Sequence, residues 1–244
     1  MKAVVTAGGR IEGPFAQAAG TPVKALASVR GTTMLARVIA ALRQAGATEI
    51  AVIGGSEVRA ACGTLVERVV DESPSGSINL LSALRAWPED GEPLLYATSD
   101  LPYVTGDAVS DFLGRIAPGT LAVSLAEFAA FERRFPGSSG FGITLAGERV
   151  VNGGLFLIPS GAAERLAVFA RRFFEARKRP WQMASFVSPI VLLRFLFGRL
   201  SIAHLEGMAA RLLGVPSAAV RNCAPELAFD VDTDSEYRYA CTHA

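Results

Sequence analysis

Apolar runs of strand length alternate with amphipathic stretches of helical length along the first half of the chain. Residues 2–7, 48–54, 65–70, 93–98 and 120–125 are short and almost wholly apolar, and they read as buried strands. Between them the spacing predicts helices over roughly 33–46, 76–87 and 105–117; Leu35, Val38, Ile39 and Leu42 share one face of the first. Strands with no polar face need cover on both sides, so the pattern predicts a three-layer α/β/α fold with a mainly parallel sheet. Residues 126–157 break the rhythm. A short helical piece, the turn-forming run 136–140 and two strand-like runs joined at Gly147 predict a β-hairpin inserted beside the main sheet. Residues 160–213 are mostly helical in pattern, and 217–231 return to short extended runs. With no internal repeat or low-complexity linker, a single domain over 1–244 with a C-terminal helical elaboration is expected.

Chemistry gathers where the strands end. The run Lys2–Thr6 breaks into Ala7-Gly8-Gly9-Arg10, which brings bare backbone N–H groups to the carboxyl edge of a sheet, where phosphate oxygens can approach them. Lys24 follows a loop bearing glycine and proline. A Walker loop would need Gly-Lys-Ser/Thr, and no Gly-Lys pair occurs; a dinucleotide fingerprint would enter its helix at once, whereas residues 10–23 intervene here. Asp100 stands just past the fourth apolar run, in the crevice where open α/β sheets bind ligands. Thr105 is the better cap for the helix that follows, which leaves Asp100 free. Asp230, Asp232 and Asp234 fall within five residues near the C-terminus; Thr233 or Asp234 is expected to cap a last helix over 235–242. In extended backbone Asp230 and Asp232 point the same way. With Asp100 they form an all-oxygen set suited to Mg²⁺, which takes one or two carboxylates and completes its shell with phosphates and water.

Composition narrows the classes. A net charge of +1 argues against binding nucleic acid through its phosphates. His204 and His243 are the only histidines, which disfavours a zinc site or a Ser-His-Asp triad. Three scattered cysteines and no leader-like segment fit a reducing, cytoplasmic setting. The apolar stretch 186–197 is too short to span a bilayer and contains Pro189 and Arg194. Residues 165–199 nonetheless hold eight basic residues against one acid, Glu175, and could form a solvated basic face or a docking surface for an anionic substrate or membrane. Arg133 and Arg134, before Pro136, suggest an anionic acceptor, or else a solvated helix end.

Five stretches, in order, resemble the MobA-like NTP transferases, a nucleotidyltransferase group of the GT-A-like nucleotide-diphospho-sugar transferase fold. Ala7-Gly8-Gly9-Arg10 resembles the glycine-rich signature, and Thr21-Pro22-Val23-Lys24-Ala25-Leu26 its Pro-x-Lys-x-Leu continuation. Gly31-Thr32-Thr33-Met34-Leu35 is similar to the stretch that leads into the next helix. Thr98-Ser99-Asp100-Leu101-Pro102 resembles the metal-binding Gly-Asp-x-Pro, and Asp230-Val231-Asp232-Thr233 the closing acidic motif, in which Asp234 stands where the family has proline.

The resemblance implies a Rossmann-like sheet and transfer of a nucleoside monophosphate from an NTP, CTP or GTP, with Mg²⁺ and release of pyrophosphate. It implies triphosphate contacts from Ala7, Gly8, Gly9, Arg10 and Lys24, base and ribose contacts from Gly76 and Ser77, and metal contacts from Asp100, Asp232 and Asp230. Asn152 falls near a substrate- or metal-contacting Asn-Gly of sugar-phosphate members, although a structural turn at Asn152-Gly153-Gly154 serves equally well. The implied acceptor is a phosphorylated, cofactor-type or sugar-type molecule. Two other readings are a nucleotide-sugar glycosyltransferase, disfavoured because Asp100-Leu101-Pro102 stands where it would want Asp-x-Asp, and a non-catalytic nucleotide-binding regulator at a membrane surface.

Overall fold

The computed structural model describes residues 1–176, 191, 193, 194 and 197–243. Its main sheet takes strands from both ends of the chain: β1 (Lys2–Thr6), β4 (Glu49–Gly54), β5 (Arg68–Asp71), β6 (Leu94–Thr98), β7 (Leu121–Glu127), β8 (Ile143–Leu145), β9 (Glu148–Ile158) and β10 (Ser217–Val220). The order is β10-β7-β9-β6-β1-β4-β5, with β8 paired to β9. β2 (Ser28–Val29) and β3 (Thr32–Thr33) form a separate small ribbon. Neighbours pair in parallel except around β9, which runs antiparallel to β6, β7 and β8.

The expected parallel strands are all present, with ends moved by a few residues at most. Alternate side chains of β1 serve opposite layers. Ala3 and Val5 pack with Leu35, Val38 and Leu42 of α2 (Met34–Gln44) and Val109 and Phe112 of α5 (Gly106–Gly114). Val4 packs on the other face with Ala83 of α4 (Gly76–Leu84). Both caps on the first face come from threonine: Thr33 Oγ1 accepts from Ala36 N, and Thr105 Oγ1 accepts from Ala108 N. Two seven-residue helices, α1 (Gly13–Ala19) and α3 (Ser56–Cys62), were not expected. Each is about two turns long, too short for a clear periodic signature.

The hairpin differs from the expectation. Its second arm, β9, does not lie beside the sheet but within it, filling the space between β6 and β7. Asn152-Gly153-Gly154 is therefore strand and not a turn. A Cβ on Gly153 would strike Ser124 of β7, and one on Gly154 would strike Thr98 of β6, so these glycines permit close approach to both neighbours. The register shift opposite, between Val123 and Leu125, lies at the same point.

The helical elaboration begins with α7 (Ala163–Ala176) and resumes with α8 (Ile202–Leu213). Arg177, Lys178 and Arg179 and the side chain of Arg172 lie outside the described residues, as does most of the apolar stretch 186–197. Arg165, Arg171, Arg194 and Arg199 are exposed. Among the described residues, no helix is long and apolar enough to cross a membrane. The chain closes with α9 (Asp234–Thr242), whose Tyr237 meets Phe15 of α1 at 5.2 Å between ring centres.

Candidate active site

The loop between Gly9 and Lys24 is long in sequence and closed in space. Lys24 N donates to Gly9 O at 2.9 Å and Ile11 N to Pro22 O at 2.9 Å, so the intervening residues project as a flap built on α1. Its Phe15 is buried with Phe229, Val231 and Tyr237 in an aromatic cluster. Lys24 is thereby returned to the end of β1. The far acidic stretch reaches the same place through Val231 N, which donates to Asp100 O at 3.1 Å.

These two clasps bring Lys24, Asp100 and Asp232 together. Lys24 Nζ donates to Asp100 Oδ2 at 2.5 Å and to Asp232 Oδ1 at 2.6 Å. Burial alone favours the neutral amine, but the two carboxylates outweigh it and hold the ammonium well above the usual lysine range. The Asp100 side chain is 12% exposed against 65% for Asp232, so Asp100 is fixed in the crevice and Asp232 stands on its rim. Thr233 is the cap of α9, in a capping box; Glu236 Oε2 accepts from the N–H groups of both Asp232 and Thr233 at 2.8 Å. Asp234 is spent on an ion pair with Arg238.

Asp230 stands beside this group and pairs with no cation among the described residues. Partial loss of hydration, then the charges of Asp100 and Asp232, push its carboxyl up to about 6, although the residue lies exposed at the rim, where solvent screens much of the effect. The sign follows from linkage. Between the unfolded value of 3.8 and the folded value of about 6 the native state binds more protons, so stability falls as pH rises through that window and the loss is complete above it. Because Asp230 is exposed and screened, Asp230→Asn is expected to raise the melting temperature of the metal-free protein only slightly at pH 7.5 and to leave it nearly unchanged at pH 3.5. Equal shifts at the two pH values would refute the crowding of Asp230.

A cleft of about 590 Å³ opens in front of Lys24 and Asp100, lined by Gly8, Gly9, Arg10, Gly76 and Tyr96 among others. Gly76 opens α4, so a helix N-terminus also faces the cleft. Ser77 is half-buried and its hydroxyl lies 2.8 Å from that of Ser75, away from the lining. Ala7 is buried under the cleft and gives its N–H to Ile53 O, so it positions the glycines and offers no donor of its own. Arg10 is engaged by Glu57 at 2.9 Å and Glu72 at 2.8 Å. Those hydrogen bonds hold the guanidinium above its ordinary range and pull the Glu57 carboxyl down to about 2.

Sequence reasoning missed Glu57, Glu72 and Asn79. Asn79 is paired at both ends to the backbone of Ser73, accepting at 2.6 Å and donating at 2.9 Å, and so fixes the loop under Glu72. Glu72 follows the last residue of β5, at the same edge as Gly8 and Asp100, and that position was the available signal. Arg133 and Arg134 lie at the end of α6 (Phe128–Arg134) and line neither this cleft nor the hollow beside Asp230. Arg134 pairs with Glu226 at 2.7 Å. Asn152 does line that hollow, which holds about 260 Å³ together with Asp230, Asp232 and Glu236.

The carboxylates fit a divalent cation. Asp100 Oδ1 is buried with no hydrogen-bond partner, beside a point where two carboxylates already hold a positive charge. Among the described residues, no group of three or more His, Cys, Asp or Glu side chains forms a complete metal cage. The arrangement thus suits an ion that brings water or phosphate as its remaining ligands.

The model of the MobA-like NTP transferase domain matches residues 3–233, and the chain belongs to that family of nucleotidyltransferases. A hypothetical transferase of Thermus thermophilus is similar over 97% of this chain and 98% of its own, with 30% identity and a TM-score of 0.84. A nucleotidyl transferase from Methanothermobacter shares 22% identity over 97% of this chain and 94% of its own, at a TM-score of 0.58. Rv0371c of Mycobacterium tuberculosis, solved in complex with manganese, shares 18% over 100% and 98%, at a TM-score of 0.51. The latter two likenesses concern the fold alone. No curated protein matches the sequence.

Proposed function

We propose that this chain transfers a nucleoside monophosphate from CTP or GTP to a phosphorylated, cofactor-type or sugar-type acceptor. Pyrophosphate is released, and the reaction depends on a divalent cation, Mg²⁺ in the cell. The observation that carries the reading is the placement of Lys24 between Asp100 and Asp232, next to Gly8 and Gly9 in a cleft large enough for a nucleotide. The manganese complex of a structural neighbour is in keeping with the cation.

Gly8, Gly9 and the N-terminus of α4 receive the triphosphate through backbone N–H groups. Arg10 exchanges Glu57 and Glu72 for phosphate oxygens. Asp100 and Asp232 would hold the cation, with Asp230 beside them, and once bound it would neutralise phosphate charge. Lys24 then leaves the carboxylates and turns to the α-phosphate. The acceptor oxygen enters from the hollow beside Asp230 and bonds to the α-phosphorus in line, as the bond to the bridging oxygen breaks and its electron pair departs with pyrophosphate. A phosphate nucleophile has no proton to lose, in keeping with a cleft that contains no histidine. Negative charge grows on the non-bridging oxygens, where Lys24 and the backbone donors stand ready.

Pyrophosphate release measured with each of the four NTPs and Mg²⁺, against a set of phosphorylated acceptors, tests the reading. CTP or GTP is expected to support release that depends on both acceptor and cation. Release from none of the four would count against it.

A further inference from the structure

We infer that the acceptor carries an apolar chain, seated in a second cavity on the α4 side of the sheet. This cavity holds about 530 Å³ and lies over β7, β9 and β10, with walls from α4, α7 and α8. Its surface is made almost entirely of aliphatic and aromatic side chains, Val123, Phe156 and Leu205 among them. The polar side chains at its edge each have a partner already, Ser217 included, whose hydroxyl donates to Val215 O. Glu206 accepts from Ala219 N at 2.8 Å, the Tyr96 hydroxyl is 2.8 Å from Thr6 Oγ1, and Asn152 donates to Gly153 O at 3.1 Å. The lining offers a polar ligand little, and among the described residues the groove stays open to solvent, as apolar ligand-binding grooves do.

Its position decides the occupant. Leu80 and Tyr96 line both this cavity and the phosphate cleft. Asn152 and Ile143 line both this cavity and the hollow that holds Asp230 and Asp232. The apolar space therefore adjoins the reaction centre on both sides of the carboxylates. A molecule with a phosphate or hydroxyl head at Asp230 and Asp232 places a single alkyl or polyprenyl chain here, taken up as a free amphiphile. The assignment of the head rests on the nucleotidyl-transfer reading; that of the chain rests on the cavity alone.

The test is calorimetric titration of the protein with butyl, hexyl, octyl and decyl phosphate below their aggregation concentrations, with NTP binding measured in parallel. Each methylene that enters should tighten binding about fourfold, the factor equivalent to about 0.8 kcal/mol per buried methylene. Ala219→Phe, from the floor of the cavity, should abolish the dependence on chain length and leave NTP binding unchanged. Ala209→Phe, from α8, is a second filling variant should the first fail to fold. Chain-length-independent binding to the wild type would overturn the inference and mean that the protein itself fills the space. A chain-length dependence untouched by both variants would overturn the location. Loss of NTP binding in the wild type would instead overturn the nucleotidyl-transfer reading and leave the chain site standing.

Discussion

Asp100→Ala is expected to reduce nucleotidyl transfer to background while the protein stays folded. Asp100 is the buried member of the carboxylate group, and its free Oδ1 is the atom best placed to take a cation. Its side chain stands two residues past β6 and lines the cleft, so truncation enlarges the cleft and opens no closed cavity in the core. The backbone clasp survives, because Val231 N donates to the carbonyl of residue 100 and not to its carboxylate. Lys24 keeps Asp232 as a partner. Pyrophosphate release gives the effect on turnover, and a thermal melt of the same sample shows the retained fold. Near wild-type release by Asp100→Ala would sink the metal assignment.

Lys24→Ala is expected to act in two opposite directions. Transfer should fall on the order of a hundredfold or more in kcat/KM, as removal of one donor aimed at developing charge commonly does. Binding of Mn²⁺ or Mg²⁺ to the nucleotide-free protein should tighten, because the ammonium now stands between the two carboxylates that the cation needs. A lysine that only held the fold together would not give that second effect. Cation titration of the two proteins at low ionic strength reads it directly, and unchanged or weaker cation binding in Lys24→Ala would show that the ammonium does not compete for the site.

The parallel strands and α2 were legible because each carries its own local pattern. The alternation of Ala3 and Val5 with Val4 between two helical layers is what a strand covered on both faces must show. The place of β9 was not legible. A pair of extended runs joined at a glycine reads as a hairpin whether it lies beside a sheet or enters it, and only the closeness of Gly153 to Ser124 and of Gly154 to Thr98 distinguishes the two. In the candidate site, Gly8, Gly9, Lys24, Asp100 and Asp232 stood out because each sits at the end of an apolar run or in a motif. The partners of Arg10 did not, since Glu57 and Glu72 are 47 and 62 residues away and ordinary in type. The long segment between Gly9 and Lys24 looked like a separation; two backbone hydrogen bonds across its base make it a flap.

Equilibrium titration with CTP and GTP, in the presence and absence of Mg²⁺, tests most directly whether this cleft is a triphosphate site. At least one of the two should bind, more tightly with the cation, with the affinity lost in Lys24→Ala and the cation effect lost in Asp100→Ala. Binding of neither nucleotide, or binding indifferent to the cation and to both substitutions, would contradict it.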